Sequence, residues 1–86
     1  MGEAPKGEVI AQFEKNSREE VRVSVDHIYG RKVINIRVYY RNEAGEWAPG
    51  KQGIALAVER YRDLADAVLQ LGEWLKSRHL LPSGGR

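Results

Sequence analysis

Glu20-Val21-Arg22-Val23-Ser24-Val25-Asp26-His27-Ile28-Tyr29-Gly30-Arg31-Lys32-Val33-Ile34-Asn35-Ile36-Arg37-Val38-Tyr39-Tyr40-Arg41 is the stretch that decides the fold. Two runs of period two flank a glycine. In a strand, successive side chains point to opposite faces. Val21, Val23 and Val25 therefore share one face, and Arg22, Ser24 and Asp26 share the other. Gly30 allows a tight reversal between the runs. In the second run Ile34, Ile36 and Val38 share a face, opposite Asn35, Arg37 and Tyr39. By the same alternation Tyr39 and Tyr40 point to opposite faces unless a bulge intervenes.

Upstream, Val9 to Glu14 reads as a short first strand anchored by Phe13, and Lys15-Asn16-Ser17-Arg18 as a turn. Downstream, Asn42-Glu43-Ala44-Gly45 is a hairpin turn. Trp47-Ala48-Pro49-Gly50-Lys51-Gln52-Gly53 then runs irregularly into Ile54-Ala55-Leu56. Pro49 has no N–H for a central ladder, so this segment is an edge, a bulge or a loop. The glycines around Lys51 point to close backbone approach or unusual dihedrals.

From Val58 the period becomes helical. Tyr61, Leu64, Val68, Leu71 and Leu75 fall at alternating steps of three and four. The spacing predicts a helix over 58–76 with Ala57 as a poor cap, since Ala57 has no side-chain acceptor. The fold class is α+β: a four-stranded antiparallel β-meander followed by one C-terminal α-helix, β-β-β-β-α, with the helix covering the apolar face of the sheet. Residues 8–76 form the single domain, with the sheet over about 9–56. Residues 1–7 and 77–86 read as flexible ends.

The chain has 86 residues and no cysteine, so no disulfide or thiolate metal site supports its small core. Homodimerisation through Tyr61, Leu64, Val68, Leu71 and Leu75 is one way to bury more apolar area. The formal net charge is only +2. Its distribution is uneven: residues 22–41 hold five basic groups and one acid, whereas 58–76 hold three basic groups and four acids. The positive charge sits on the expected sheet.

One helix covers one face of a sheet, and the other face is left to solvent or a ligand. That face presents Arg22, Ser24, Asn35, Arg37 and Tyr39, with Trp47, Lys51 and Tyr40 at its rim. Cations hold phosphates and aromatic rings stack on unpaired bases, so the pattern suits single-stranded nucleic acid. Ordinary solvent-facing sheets also carry such pairs. Tyr40 and Trp47 each have a core reading, and Arg37 and Lys51 each have a solvated one.

Val23-Ser24-Val25, then Gly30-Arg31, then Ile34-Asn35-Ile36-Arg37-Val38-Tyr39-Tyr40, then Gly45-Glu46-Trp47-Ala48-Pro49-Gly50-Lys51-Gln52-Gly53-Ile54-Ala55-Leu56 resembles the C-terminal domain of the positive cofactor four family of transcriptional coactivators. The likeness covers roughly residues 20–75, and Gly-Glu-x-x-Pro-Gly-x-x-Gly-Ile is its most specific run. The resemblance implies a strongly curved sheet with a C-terminal helix. It also implies a symmetric dimer whose β-ribbons form two channels for single-stranded DNA. On it Arg31, Arg37, Tyr40 and Lys51 fall at nucleic-acid-contacting positions, with Lys32 beside them and Arg22 and Ser24 on the same channel face. Tyr40 stands where the family often has Trp. Three residues depart from the pattern: Ile28 replaces a stacking Phe, while Gln52 and Asp26 replace basic residues. These weaken the expected binding, and Trp47 offers a stacking surface in compensation. A bare domain, as in bacterial or phage relatives, is the expected type. Cytoplasmic, nucleoid-associated localisation is expected in a prokaryote and nuclear localisation in a eukaryote.

The sequence points to no enzyme, no cofactor and no metal. His27 and His79 are too few and too far apart for a metal site. Asp26 and His27 alternate faces and cannot cooperate. No apolar run is long enough to cross a membrane. The expected partners are single-stranded DNA, RNA as a variant of the same chemistry, a second copy of the chain, and the transcription machinery. A protein-interaction module with weak or no DNA binding, or an RNA chaperone, remains as the alternative function.

Overall fold

The computed structural model describes residues 7–81. Of the ends expected to be flexible, residues 1–6 and 82–86 lie outside the described residues, whereas 77–81 are described and Ser77 closes the helix. Four strands, β1 (Glu8–Asn16), β2 (Glu19–Ile28), β3 (Arg31–Arg41) and β4 (Trp47–Ala57), form one antiparallel sheet in the order β1-β2-β3-β4. A 3-10 turn, Val58–Arg60, leads into α1 (Tyr61–Ser77).

The alternation sets the register. Val21 pairs with Val38, Val23 with Ile36 and Val25 with Ile34, while Ile36 and Ile34 pair on their other side with Ile54 and Leu56. A slip of one residue would turn this apolar set to the opposite face, so the pattern specifies the register strongly. Tyr29 and Gly30 form a two-residue loop between the paired Ile28 and Arg31, with φ of 51° and 76°. Two positive φ values match the twist of the flanking strands. The next turn is held by Asn42, whose Oδ1 accepts from the Ala44 and Glu46 amides at 2.9 and 3.0 Å.

The helix corrects the sequence expectation in two ways. Its first turn is 3-10, and α-geometry starts at Tyr61, not Val58. Neither Ala57 nor Arg60 caps it with a side chain. A tighter turn is one way to satisfy the free amides at such an uncapped start. More importantly, α1 does not cover the apolar face of the sheet. It meets the rest of the chain chiefly through the 3-10 turn, with at most marginal contact to the strands. The turn after Ala57 carries the helix away from the sheet, so neither apolar surface buries the other.

The core is correspondingly thin. Ile34 is the only buried apolar residue among the described residues. Phe13, expected to anchor the first strand, is 61% exposed. It sits opposite Val21 on an edge strand whose apolar face has no second layer. The radius of gyration is 15.2 Å, against about 12 Å for a compact chain of this length.

Candidate nucleic-acid interface

On the polar face, the register sets Arg22 opposite Arg37, Ser24 opposite Asn35, Glu20 opposite Tyr39 and Arg41 opposite Trp47. Two arginines directly across from each other repel, and their side chains part. Arg22 turns toward one end of the sheet. There its guanidinium lies 4.3 Å from the centroid of the Tyr39 ring and 5.9 Å from that of Trp47. Its Nε donates to the Glu20 carboxylate. Arg41 approaches Trp47 from its own position, 5.0 Å from the ring centroid, and donates to the Gly45 carbonyl at 2.7 Å.

Arg37 turns the other way. Its Nη1 donates to the carbonyl oxygens of Gly50 and Lys51, at 3.1 and 3.5 Å. Those carbonyls belong to a bulge: Arg37 pairs with Gly53 and Tyr39 with Pro49, so three residues of β4 face Val38 alone. The bulge is possible because the backbones approach closely. A Cβ on Gly50 would meet the Val38 carbonyl oxygen at 2.9 Å, and one on Gly53 would meet the Ile36 carbonyl oxygen at 2.6 Å. The Pro-Gly-Lys-Gln-Gly segment is thus a bulged edge strand that leaves Lys51 exposed.

The nine predicted contact residues fall into three groups. Arg22, Ser24, Arg37, Tyr39 and Trp47 come together on the polar face. Tyr40 points to the opposite face. It joins Lys51 around a cleft of about 270 Å³ also lined by Glu19, Val38, Gly50 and Gln52. Arg31 and Lys32 lie at the far end of β3, beside Val58 and Glu59. β3 stays regular against β2, and the irregularity lies between β3 and β4, so the two tyrosines remain on opposite faces.

Three further polar-face residues belong to the arrangement. Arg41 and Glu20 share the strand parity of Tyr39 and Arg22, a signal present in the sequence. Asp26 is 7% exposed and accepts from Asn35 Nδ2 at 2.8 Å. The Asn35 Oδ1 is buried without a hydrogen-bond partner. Glu19, on the Tyr40 side, accepts from Lys15 and Asn16, both at 2.8 Å, and these two bonds hold its carboxyl below the ordinary value of 4.5.

The sequence profile of the family described as Transcriptional Coactivator p15 (PC4) matches residues 15–67, more than half the chain. The protein is a member of the PC4 family. Its fold is shared with a PC4 homologue from Burkholderia pseudomallei K96243: TM-score 0.72 at 24% identity, covering 78% of this chain and 98% of the other. A bacteriophage T5 homologue of the eukaryotic coactivator PC4, implicated in recombination-dependent DNA replication, aligns with TM-score 0.57 at 18% identity over 90% of this chain and 83% of its own. MoSub1, solved in complex with DNA, aligns with TM-score 0.59 at 34% identity over 79% and 83%. The PC4 fold is therefore present here with bacterial and phage homologues among its structural neighbours. No helix among the described residues is long and apolar enough to cross a membrane.

Proposed function

We propose that this PC4-family protein binds single-stranded DNA, largely without regard to sequence, as a homodimer serving transcription or DNA replication and repair. The observation that carries the reading is that Arg22, Arg37 and Arg41 share one uncovered sheet face with Tyr39 and Trp47, with Arg22 and Arg41 lying over those rings. Such a surface offers cations to phosphates and ring edges and faces to unpaired bases, which a duplex keeps stacked inside. Likeness to MoSub1, a structural neighbour solved in complex with DNA, supports the same reading.

The homodimer rests on the open helix. Tyr61, Val68 and Leu71 are exposed and Leu64 and Leu75 only half-buried, so the stripe is left largely uncovered among the described residues. A second copy related by two-fold symmetry would cover the stripe with its own counterpart. Tyr40 and Lys51 would supply a further stacking and phosphate contact, and Arg31 and Lys32 a third at the other end of β3.

A labelled oligo-dT of about 20 nucleotides, a span within the range of such sites, tests the reading by fluorescence anisotropy against the matching duplex. Tighter binding of the single strand, weakening with salt, is expected. Each lost phosphate contact, as in Lys51→Ala, flattens the salt slope by about 0.7. Binding to duplex alone, or none at low salt, refutes it. Glu20 and Asp26 bring carboxylates onto the same face, which favours a protein partner as the second reading. Recovery of a polymerase-associated partner after nuclease treatment, without DNA affinity, is the outcome that selects it. An oligo-U arm reports on RNA.

A further inference from the structure

Arg22 is half-buried in the polar face, and its side chain is only 23% exposed. It is held from two directions. Its guanidinium carbon lies over the rings of Tyr39 and Trp47, 4.3 and 5.9 Å from their centroids, and the Glu20 carboxylate takes its Nε–H. The rings offer nothing that a phosphate offers, because a cation over an aromatic face keeps its in-plane N–H groups available. The carboxylate does compete, since carboxylate and phosphate both take the same charge-assisted, fork-like bonds from a guanidinium.

From this geometry we propose that Glu20 is an intramolecular competitor of nucleic-acid phosphate for Arg22, and so a residue that limits affinity at this site. The inference rests on the DNA-binding reading above. A strand arriving on this face displaces Glu20 from Arg22 while the cation–ring contacts stay in place. The site's cost of binding is the loss of one ion pair on the basic face. Glu14, which pairs with Glu20 across β1 and β2, carries the same charge nearby but lies outside the Arg22 ion pair. It serves as the control for a general change in charge.

The experiment compares Glu20→Gln, Glu14→Gln, Arg22→Ala and the Glu20→Gln/Arg22→Ala double variant by anisotropy with oligo-dT over a salt series, after thermal melts establish that each folds. Freeing one phosphate contact steepens the single-strand salt slope by about 0.7, which is about a fivefold gain in affinity at 0.1 M salt. That gain is expected for Glu20→Gln, not for Glu14→Gln, and it disappears in the Arg22→Ala background. Unchanged affinity on Glu20→Gln overturns the proposal and leaves the pair as a structural contact. Weaker binding overturns it too, with Glu20 positioning Arg22 instead of restraining it. An equal gain from Glu14→Gln reduces the effect to net charge and overturns it as well. Failure of the wild-type chain to bind oligo-dT refutes the DNA reading. A short inorganic polyphosphate titrated against the same four variants then decides the inference by the same pattern of gain and loss.

Discussion

The Arg22 guanidinium lies 4.3 Å from the centroid of the Tyr39 ring, and the two residues sit on neighbouring strands, offset in register. The contact turns a charged side chain into part of the packing on a face with no second layer. Removing the ring by Tyr39→Ala is expected to destabilise the sheet by about 1–2 kcal/mol, through lost cation–ring attraction and exposed aliphatic stem. Tyr39→Phe keeps the ring and is expected to stay within about 0.5 kcal/mol of wild type. Urea midpoints at constant slope measure both, and equal losses in the two variants contradict the cation–ring account.

Gly53 sits where β4 comes close to β3. A Cβ there would lie 2.6 Å from the Ile36 carbonyl oxygen and 3.0 Å from the Arg37 Cα, both backbone atoms that cannot rotate away. Gly53→Ala is expected to cost about 1–3 kcal/mol, the range for overpacking. A methyl group on Gly72 would meet nothing within 4 Å. Gly72→Ala is therefore expected to stabilise the helix by up to about 1 kcal/mol. Opposite shifts in denaturation midpoint are the test.

Tyr29 holds a φ of 51° while being 98% exposed, so its side chain gains nothing from the fold that offsets the left-handed backbone. Asn tolerates that conformation better and is favoured at this turn position. Tyr29→Asn is expected to raise stability by about 0.5–1 kcal/mol, read as a higher denaturation midpoint. A lower midpoint would mean that the ring has a partner in the assembled protein.

The helix stripe gives the oligomer prediction. Val68→Asp or Leu71→Asp places a charge at the centre of the exposed apolar surface, which a dimer would have to bury. Light scattering is expected to show the wild type at twice the chain mass and both variants at the chain mass. A monomeric wild type contradicts the proposed dimer.

Glu19 links stability to pH. Its carboxyl is held below 4.5 by Lys15 first and Asn16 second, so the folded state favours the ionised form. A depressed value means that this contribution is complete above pH 4.5 and is lost as the pH falls through the lower, folded value. An NMR titration of the Glu19 carboxyl is expected to give a midpoint below 4.5, moving back toward 4.5 in Lys15→Ala. The β1–β2 hairpin is expected to loosen over the same acidic range.

The sequence by itself determined the strands, their faces and their order. The reason is local: period two in β2 and β3, a glycine in the hairpin loop, and the switch to a helical period are properties of neighbouring residues. Parity also put Arg22, Ser24, Arg37 and Tyr39 on one face and Tyr40 on the other. Only the tertiary structure decided how those side chains divide their contacts. Arg22 and Arg37 are equivalent in the alternation, yet one stacks on Tyr39 and the other holds the Gly50–Lys51 bulge, because each has a different partner across the sheet. The position of the helix was likewise beyond the sequence. An apolar stripe states that something must be buried, but not against what, and here the turn after Ala57 aims α1 away from the sheet whose apolar face it was expected to cover.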